Sequence, residues 1–145
     1  MSGPSKYLSW SELGCKDGTP FPAEWRATRG RDLGIVFERI RALFGKPITV
    51  GSAYRTPAHN RRVGGAQHSQ HLQGRALDLY PPTGASVKVF QNAVRRLADQ
   101  MVDEGHDLIG GLGYYPEFLH VDVRGTVGDK LIVWWGTRPT PEAGS

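Results

Sequence analysis

The sequence is poor in the features that define several protein classes. It has a single cysteine, Cys15, among 145 residues, which excludes an intramolecular disulfide framework. Its longest uncharged stretches, such as residues 108–116, are much shorter than the roughly 20 apolar residues that a membrane-spanning helix needs. No internal repeat or long low-complexity tract is present. These absences exclude a disulfide-stabilised scaffold, a membrane span and a fibrous protein.

The N-terminus carries no evident secretory signal, because no apolar segment follows its positive charge. We therefore expect synthesis in the cytoplasm and no insertion into a membrane. A chain of 145 residues with 39% hydrophobic and 22% charged residues suits one globular domain. We expect a flexible N-terminus over residues 1–8, one domain over residues 9–136, and a flexible tail over residues 137–145, in a monomer.

The charge is mildly positive, with 18 lysines and arginines against 14 aspartates and glutamates. A net charge of +4 favours an anionic partner without identifying it. The arginines are scattered through two expected helices and a loop, with acidic residues among them. Because nucleic-acid binding needs a basic patch or stripe on one face, we do not expect a nucleic-acid partner.

Three segments are expected to form helices. Ser9 and Glu12 have the spacing of a capping box, which predicts a short helix over residues 10–13. A second helix is predicted to end near residues 45–47, and a third is predicted to be closed by Gly105. The apolar residues that recur at helical spacing are Leu33, Val36, Ile40, Leu43 and Phe44 in the second helix and Val87, Phe90, Val94, Leu97 and Met101 in the third.

Several short segments have the character of strands. They are residues 48–54, 76–80, 108–115, 118–124 and 131–135. Because short, turn-rich gaps separate the last three, we expect them to form an antiparallel meander. Helices around a small antiparallel sheet define an α+β domain. The adjacent Trp134 and Trp135 must point to opposite faces of the last strand, so one of them faces outward.

The segment over residues 54–78, which precedes the third predicted helix, is too polar and too rich in glycine to be core. Zinc sites that catalyse reactions use three protein ligands of the His, Asp or Glu type and leave one position open for water. Within this segment, His71 and Asp78 can face one metal only if the backbone turns between them, and Gly74 permits such a turn. The leucines on either side of Asp78 would then point into the core.

His120 is the candidate third ligand. Val121 and Val123 alternate with it, so His120 and Asp122 share the face that points away from the core. Asp122 is placed to orient a ligand histidine or an arginine. Glu117 can approach the same metal from a turn, where it would be a general base. Spacing alone leaves open the alternative that the histidines are ordinary polar residues near loops and that the carboxylate belongs to a turn.

These motifs resemble a known family. The segments that carry the resemblance are Gly64-Gly65, Ser69-x-His71-x-x-Gly74-x-Ala76-x-Asp78 and Glu117-x-x-His120, with further likeness in residues 7–18, 52–60, 110–115 and 120–125. They are similar to peptidase family M15, the family of zinc D-Ala-D-Ala carboxypeptidases and phage L-alanyl-D-glutamate endopeptidases, and within it to the small single-domain branch. One departure is Phe118, where some relatives have a histidine two residues before the ligand.

The resemblance implies a hedgehog-like, D-Ala-D-Ala peptidase-like fold with one zinc ion bound by His71, Asp78 and His120. It also implies that Glu117 is the catalytic base and that Arg55 contacts a carbonyl or carboxylate of the substrate.

Other polar residues of the segment have weaker counterparts in the family. Ser69 matches a serine that lines the substrate site, although a turn-forming hydroxyl would explain it equally simply. His59 and His68 have no firm counterpart, and we expect them at the surface or behind the ligands. Cys15 lies outside the motifs and is expected to be a small core residue.

The function that the resemblance implies is zinc-dependent hydrolysis of a peptide bond in the peptidoglycan stem peptide, by a carboxypeptidase or an endopeptidase. The small domain and the expected lack of a signal favour a phage or prophage endolysin that reaches the cell wall after release at lysis. The alternative is a catalytically silent, zinc-bearing module that binds the wall or has a structural role. The presence of Glu117 and Arg55 favours the enzyme.

Overall fold

The elements of the fold follow the periodicities of the sequence. The structure, a computed structural model, describes residues 2–128 and 130–137. Its α-helices are α1 (Trp10–Leu13), α2 (Arg31–Phe44), α3 (Pro57–Arg62) and α4 (Val87–Asp103). Its strands are β1 (Thr49–Ser52), β2 (Ala76–Tyr80), β3 (Gly111–Tyr114), β4 (Leu119–Asp122) and β5 (Ile132–Trp135). The expected α+β fold is confirmed.

The helix ends confirm the local signals of the sequence. At α1 the capping box is present, because the Glu12 amide donates to the Ser9 hydroxyl and the Ser9 amide donates to the Glu12 carboxylate. Helix α2 ends at Gly45, whose φ of 63° is left-handed and suits a residue without a side chain. Helix α4 begins after Ser86, which caps it, and ends shortly before Gly105.

The strands form one sheet in the order β1-β2-β4-β3-β5. The first three pairings are antiparallel, but β5 pairs with β3 in parallel. The predicted antiparallel meander is therefore wrong for the last strand. Both edges of β4 are already taken by β2 and β3, so β5 cannot pair with β4 and instead joins the sheet at the outer edge of β3. The end of β4 and the start of β5 are both level with Gly111, on opposite sides of β3, so the connection has only to cross that strand.

The core lies on one face of the sheet, against α2 and α4. Leu77 of β2, Val121 of β4 and Leu112 of β3 are paired neighbours, and all three are buried. The fully buried residues of the two helices include Val36, Phe37, Ile40, Phe90, Val94 and Met101. The opposite face of the sheet is left for the polar residues that alternate with these positions.

The regions beside the core complete the domain. Cys15 is buried, as expected for a small core residue. Leu8 is buried and Pro4 lies directly against Gly34, so much of the segment expected to be flexible is in contact with the domain. Residues 138–145, most of the expected flexible tail, lie outside the described residues. No helix in residues 2–128 and 130–137 is long and apolar enough to cross a membrane.

Two short helices lie in the polar segment that sequence analysis treated as a loop. Helix α3 begins after Thr56, whose hydroxyl accepts from the His59 amide. A 3-10 turn, Gln70–Gln73, begins after Ser69 in the same way. Neither was predicted, because each is too short to show a helical period. Together they replace an irregular loop by two capped turns with defined positions.

Candidate metal centre

One row of residues crosses the whole sheet. Ser52 pairs with Asp78, Asp78 with His120, His120 with Gly113, and Gly113 with Trp134. Directly paired residues in a sheet point to the same face, so the row shares one face. Because the residues flanking Asp78 and His120 on their strands are in the core, that face points away from it.

His71 reaches this face from the 3-10 turn. The Ser69 hydroxyl accepts a hydrogen bond from the His71 amide at 3.1 Å, which fixes the start of the turn. Gly74 ends it with a φ of 66°, a left-handed conformation that turns the chain into β2. The backbone bend predicted between His71 and Asp78 is therefore present, at the predicted glycine.

The three predicted ligands come together. His71, Asp78 and His120 each offer one ligand atom, and these atoms lie within 4.8 Å of one another. The His71 Nε2 is 3.0 Å from Asp78 Oδ2, and the His120 Nδ1 is 3.1 Å from Asp78 Oδ1. All three residues are buried. Two imidazoles and one carboxylate form a donor set that a single metal ion of the zinc type can use.

The tautomer of His71 follows from its contacts. Its Nδ1 lies 2.6 Å from the carbonyl oxygen of Ala53, which can only accept, so the proton is on Nδ1 and the lone pair on Nε2. That Nε2 is buried and makes no hydrogen bond. Burial lowers the pKa of His71, which keeps the ring neutral as a metal ligand requires. A buried lone pair directed at the other two ligands fits a metal ion.

His120 is held by a carboxylate on its other nitrogen. The Nε2 lies 2.8 Å from Asp122 Oδ2, which leaves Nδ1 for the metal. Asp122 is in turn bound by both Nε and Nη2 of Arg124, at 2.8 and 2.7 Å. A carboxylate behind a ligand histidine fixes the ring and raises its basicity. The sequence-based placement of Asp122 behind a ligand and beside an arginine agrees with this geometry.

The electrostatics of the cluster favour a positive charge. Burial alone would lower the pKa of His120, but its hydrogen bonds to Asp122 and Asp78 outweigh burial and raise that pKa to about 9. Burial alone would raise the pKa of Asp78, but His71 and His120 lower it instead. Without a metal, the cluster thus holds an ionised Asp78 carboxylate beside a protonated His120, whose Nδ1 proton a bound metal ion would replace.

We expect Asp122→Asn to weaken zinc binding by about 10- to 100-fold, because supporting carboxylates of ligand histidines have effects of that size. The variant loses the charge that holds both His120 and Arg124. Competition with a chromophoric chelator measures the zinc affinity. Asp99→Asn is the matched control, because Asp99 pairs with Arg95 on an exposed helix surface. Equal zinc affinity in Asp122→Asn and the unchanged protein would contradict a supporting role.

Arg55 lies beneath the same site. Its Nη2 is 3.6 Å from Asp78 Oδ2, its Nε donates to the Ser52 hydroxyl at 3.2 Å, and its Nη1 donates to the Asn60 side-chain oxygen at 3.1 Å. The side chain is 2% exposed. Arg55 is thus fixed in place and contributes positive charge to the wall of the site.

A cavity opens onto the cluster. Besides the three candidate ligands and Arg55, its lining includes His68, Ser69, Tyr115, Phe118, Arg124 and Trp134. Ser69 therefore both caps the 3-10 turn and borders the cavity. His68 is exposed at the rim, whereas His59 is buried on α3 and does not belong to the described metal cluster.

Glu117 lies on the turn between β3 and β4, where the sequence places it, and it is exposed. Glu117 is not among the described residues that line the cavity. Its role as base stays a prediction. The turn itself is fixed by Gln91, whose side-chain amide donates to the carbonyls of Tyr115 and Phe118 at 2.9 and 3.1 Å.

Among the cavity residues that sequence reasoning missed are Tyr115, Arg124 and Trp134. Arg124 carried a usable signal, because it follows His120 and Asp122 at the same two-residue spacing. The only sequence signal at Trp134 was its alternation with Trp135, which requires one of the two to face outward. In the structure Trp135 is the exposed one. Neither pattern says which side chain faces the metal cluster.

The fold and the site define a class: an α+β domain with a His/Asp/His cluster at the base of a cavity, suited to one metal ion. The family model described as Peptidase M15 matches residues 7–122, well over half of the chain. The protein therefore belongs to the peptidase M15 family, which confirms the family recognised in the sequence. The prediction of a metal cofactor is likewise supported by the cluster of His71, Asp78 and His120.

The chain is also similar to a named member of the family. The zinc D-Ala-D-Ala carboxypeptidase of Streptomyces albus G is 37% identical over 87 residues, which are 60% of this chain and 31% of that protein. The chain thus matches about a third of the length of this relative.

Proposed function

We propose that this protein is a zinc-dependent peptidase that hydrolyses a peptide bond in the stem peptide of peptidoglycan. The observation that carries the proposal is the buried cluster of His71, Asp78 and His120 at the base of a cavity. Membership of the M15 family and the relative named for D-Ala-D-Ala support the reaction and the substrate class. The net charge of +4 favours approach to an anionic wall polymer.

The proposed zinc ligands are His71 Nε2, the Asp78 carboxylate and His120 Nδ1. The bound ion would lower the pKa of water towards about 7 and polarise a substrate carbonyl. Two features of His71 favour binding of the ion: burial lowers its pKa and keeps the ring neutral, and its Nδ1 proton is donated to the carbonyl of Ala53. Asp122 accepts from Nε2 of the other histidine, so Nδ1 is the nitrogen that would lose its proton when the metal binds.

Two further residues have proposed roles in the hydrolysis. The carboxylate of Glu117 accepts a proton from the attacking water and delivers it to the leaving amine. The guanidinium of Arg55 stabilises the negative charge that develops on the substrate oxygen, or holds a substrate carboxylate. The rigid hydrogen bonds of Arg55 to Ser52 and Asn60 support this role, because a preorganised charge needs no rearrangement during the reaction.

We further propose that the protein acts as a phage or prophage endolysin after release at lysis. The resemblance of its motifs to the phage endopeptidases of the family and its mild positive charge support this role. An enzyme of the host that remodels the wall would use the same site.

We expect the zinc-loaded protein to release stem-peptide fragments from purified sacculi, and a chelator to stop this until zinc is restored. Mass spectrometry of the products identifies the bond: free D-alanine indicates a carboxypeptidase, and new N-terminal D-glutamate indicates an L-alanyl-D-glutamate endopeptidase. Sacculi left intact by protein with one zinc per chain would contradict the proposal. That result would favour a catalytically silent wall-binding module.

A further inference from the structure

The row across the sheet ends in Gly113 and Trp134, which the metal cluster does not use. Gly113 lies between His120 and Trp134, as the pair partner of both. A Cβ at Gly113 would lie only 2.6 Å from Cε2 and 2.8 Å from Nε1 of the Trp134 indole. The indole therefore extends over the glycine, in the space that a side chain would fill. Through this gap it reaches His120, with ring centroids 5.0 Å apart and planes inclined by 55°.

The indole is fixed at its polar end. The Nε1–H of Trp134 donates to the Tyr115 hydroxyl at 3.2 Å. The Tyr115 ring stacks on Phe118 with centroids 4.5 Å apart and planes 8° from parallel. Because Gln91 holds the backbone of this turn, the hydroxyl that receives the indole proton has a defined position. Trp134 is thus tied to the sheet and to the turn that precedes β4.

The other neighbours of the indole also support the histidine. The guanidinium carbon of Arg124 lies 5.5 Å from the Trp134 ring centroid. That same guanidinium binds Asp122, which accepts from His120. On its remaining side the His120 ring meets His71, with centroids 5.1 Å apart and planes nearly perpendicular at 79°. His120 is therefore held by hydrogen bonds at both nitrogens and by ring contacts with His71 and Trp134.

We infer that Trp134 is a positioning residue for the metal site, which holds the His120 ring so that Nδ1 faces Asp78 and Nε2 faces Asp122. The inference rests on the proposed zinc function. Trp134 lies on β5, beyond the residues that the family model matches, so this chain completes its metal site with a strand outside the matched region. Gly113 is part of the same arrangement, because a larger residue there would displace the Trp134 indole.

We expect Trp134→Ala to weaken zinc binding by about 10-fold or more, the lower end of the effect of removing support from a ligand histidine. Trp134→Phe should recover most of the affinity, because a phenyl ring can still pack against His120. Gly113→Ala should weaken zinc binding while the tryptophan remains present. Chelator competition gives the zinc affinity, and thermal unfolding of the zinc-free proteins reports folding separately.

Trp135→Ala is the matched control, because its side chain is 74% exposed and contacts Tyr114 instead of the histidine. Zinc affinity within twofold of the unchanged protein in Gly113→Ala and in a folded Trp134→Ala would overturn the inference. If Trp134→Ala does not fold, Gly113→Ala and Trp134→Phe decide the question. Failure of the unchanged protein to bind zinc would overturn the proposed function. Zinc binding by the unchanged protein together with unaltered affinity in the variants would overturn only the role of Trp134.

Discussion

His71→Ala is expected to abolish tight zinc binding and to reduce hydrolysis of sacculi by ~10³-fold or more, because metal catalysis supplies several kcal/mol of transition-state stabilisation. The substitution removes the buried lone pair on Nε2 of His71. That lone pair is available because the ring proton lies on Nδ1, where it is bound by the carbonyl oxygen of Ala53. Asp78 and His120 would remain as two ligands, which are too few for a tight catalytic zinc site. Zinc content after dialysis and the rate of fragment release measure the two effects.

His106→Ala is the control for this experiment, because His106 is exposed just beyond the end of α4. It should bind zinc and cleave sacculi as the unchanged protein does. Thermal unfolding of both variants without zinc separates loss of the metal from loss of the fold. One tight zinc per chain in folded His71→Ala would refute the ligand set.

Glu117→Gln is expected to lower the rate of hydrolysis by about 10²- to 10⁴-fold while zinc stays bound, since general-base catalysis contributes effects of that size. The amide has nearly the shape of the carboxylate but cannot accept a proton at neutral pH. Because Glu117 is exposed on the turn and lies outside the metal cluster, the substitution should leave the ligands and the fold intact. The rate of fragment release at saturating zinc is the measurement.

Glu24→Gln provides an exposed glutamate outside the cavity lining for comparison, and it should cleave at the unchanged rate. If Glu117→Gln with bound zinc hydrolyses as fast as this control, another group accepts the proton. The assignment of Glu117 as the base rests on the Glu117-x-x-His120 motif, because the side chain itself is exposed on the turn.

The local features of the fold were predictable because their causes are local. The Ser9–Glu12 capping box needs only four residues, and both of its hydrogen bonds are present. The two-residue alternation around Asp78 and His120 put both side chains on the face away from the core. Gly74 marked the bend that brings His71 to them.

Features that depend on pairing between distant segments were not predictable in the same way. The alternation in β5 shows that Trp134 and Trp135 face opposite ways, but not which strand lies beside them. The short gap between β4 and β5 favoured an antiparallel neighbour, whereas the observed neighbour of β5 is β3, in parallel. The register of that pairing is what places Trp134 opposite Gly113.

The sequence by itself determined the types and spacing of the candidate ligands and the face on which Asp78 and His120 lie, because side-chain alternation follows directly from the strand backbone. Only the tertiary structure decided that β5 joins the free edge of β3 and that Trp134 crosses Gly113 to contact His120. The physical reason is that a strand can pair only where the rest of the sheet leaves an edge open, here on β1 and on β3. Which edges are open depends on every other strand, and no short segment of the sequence contains that information.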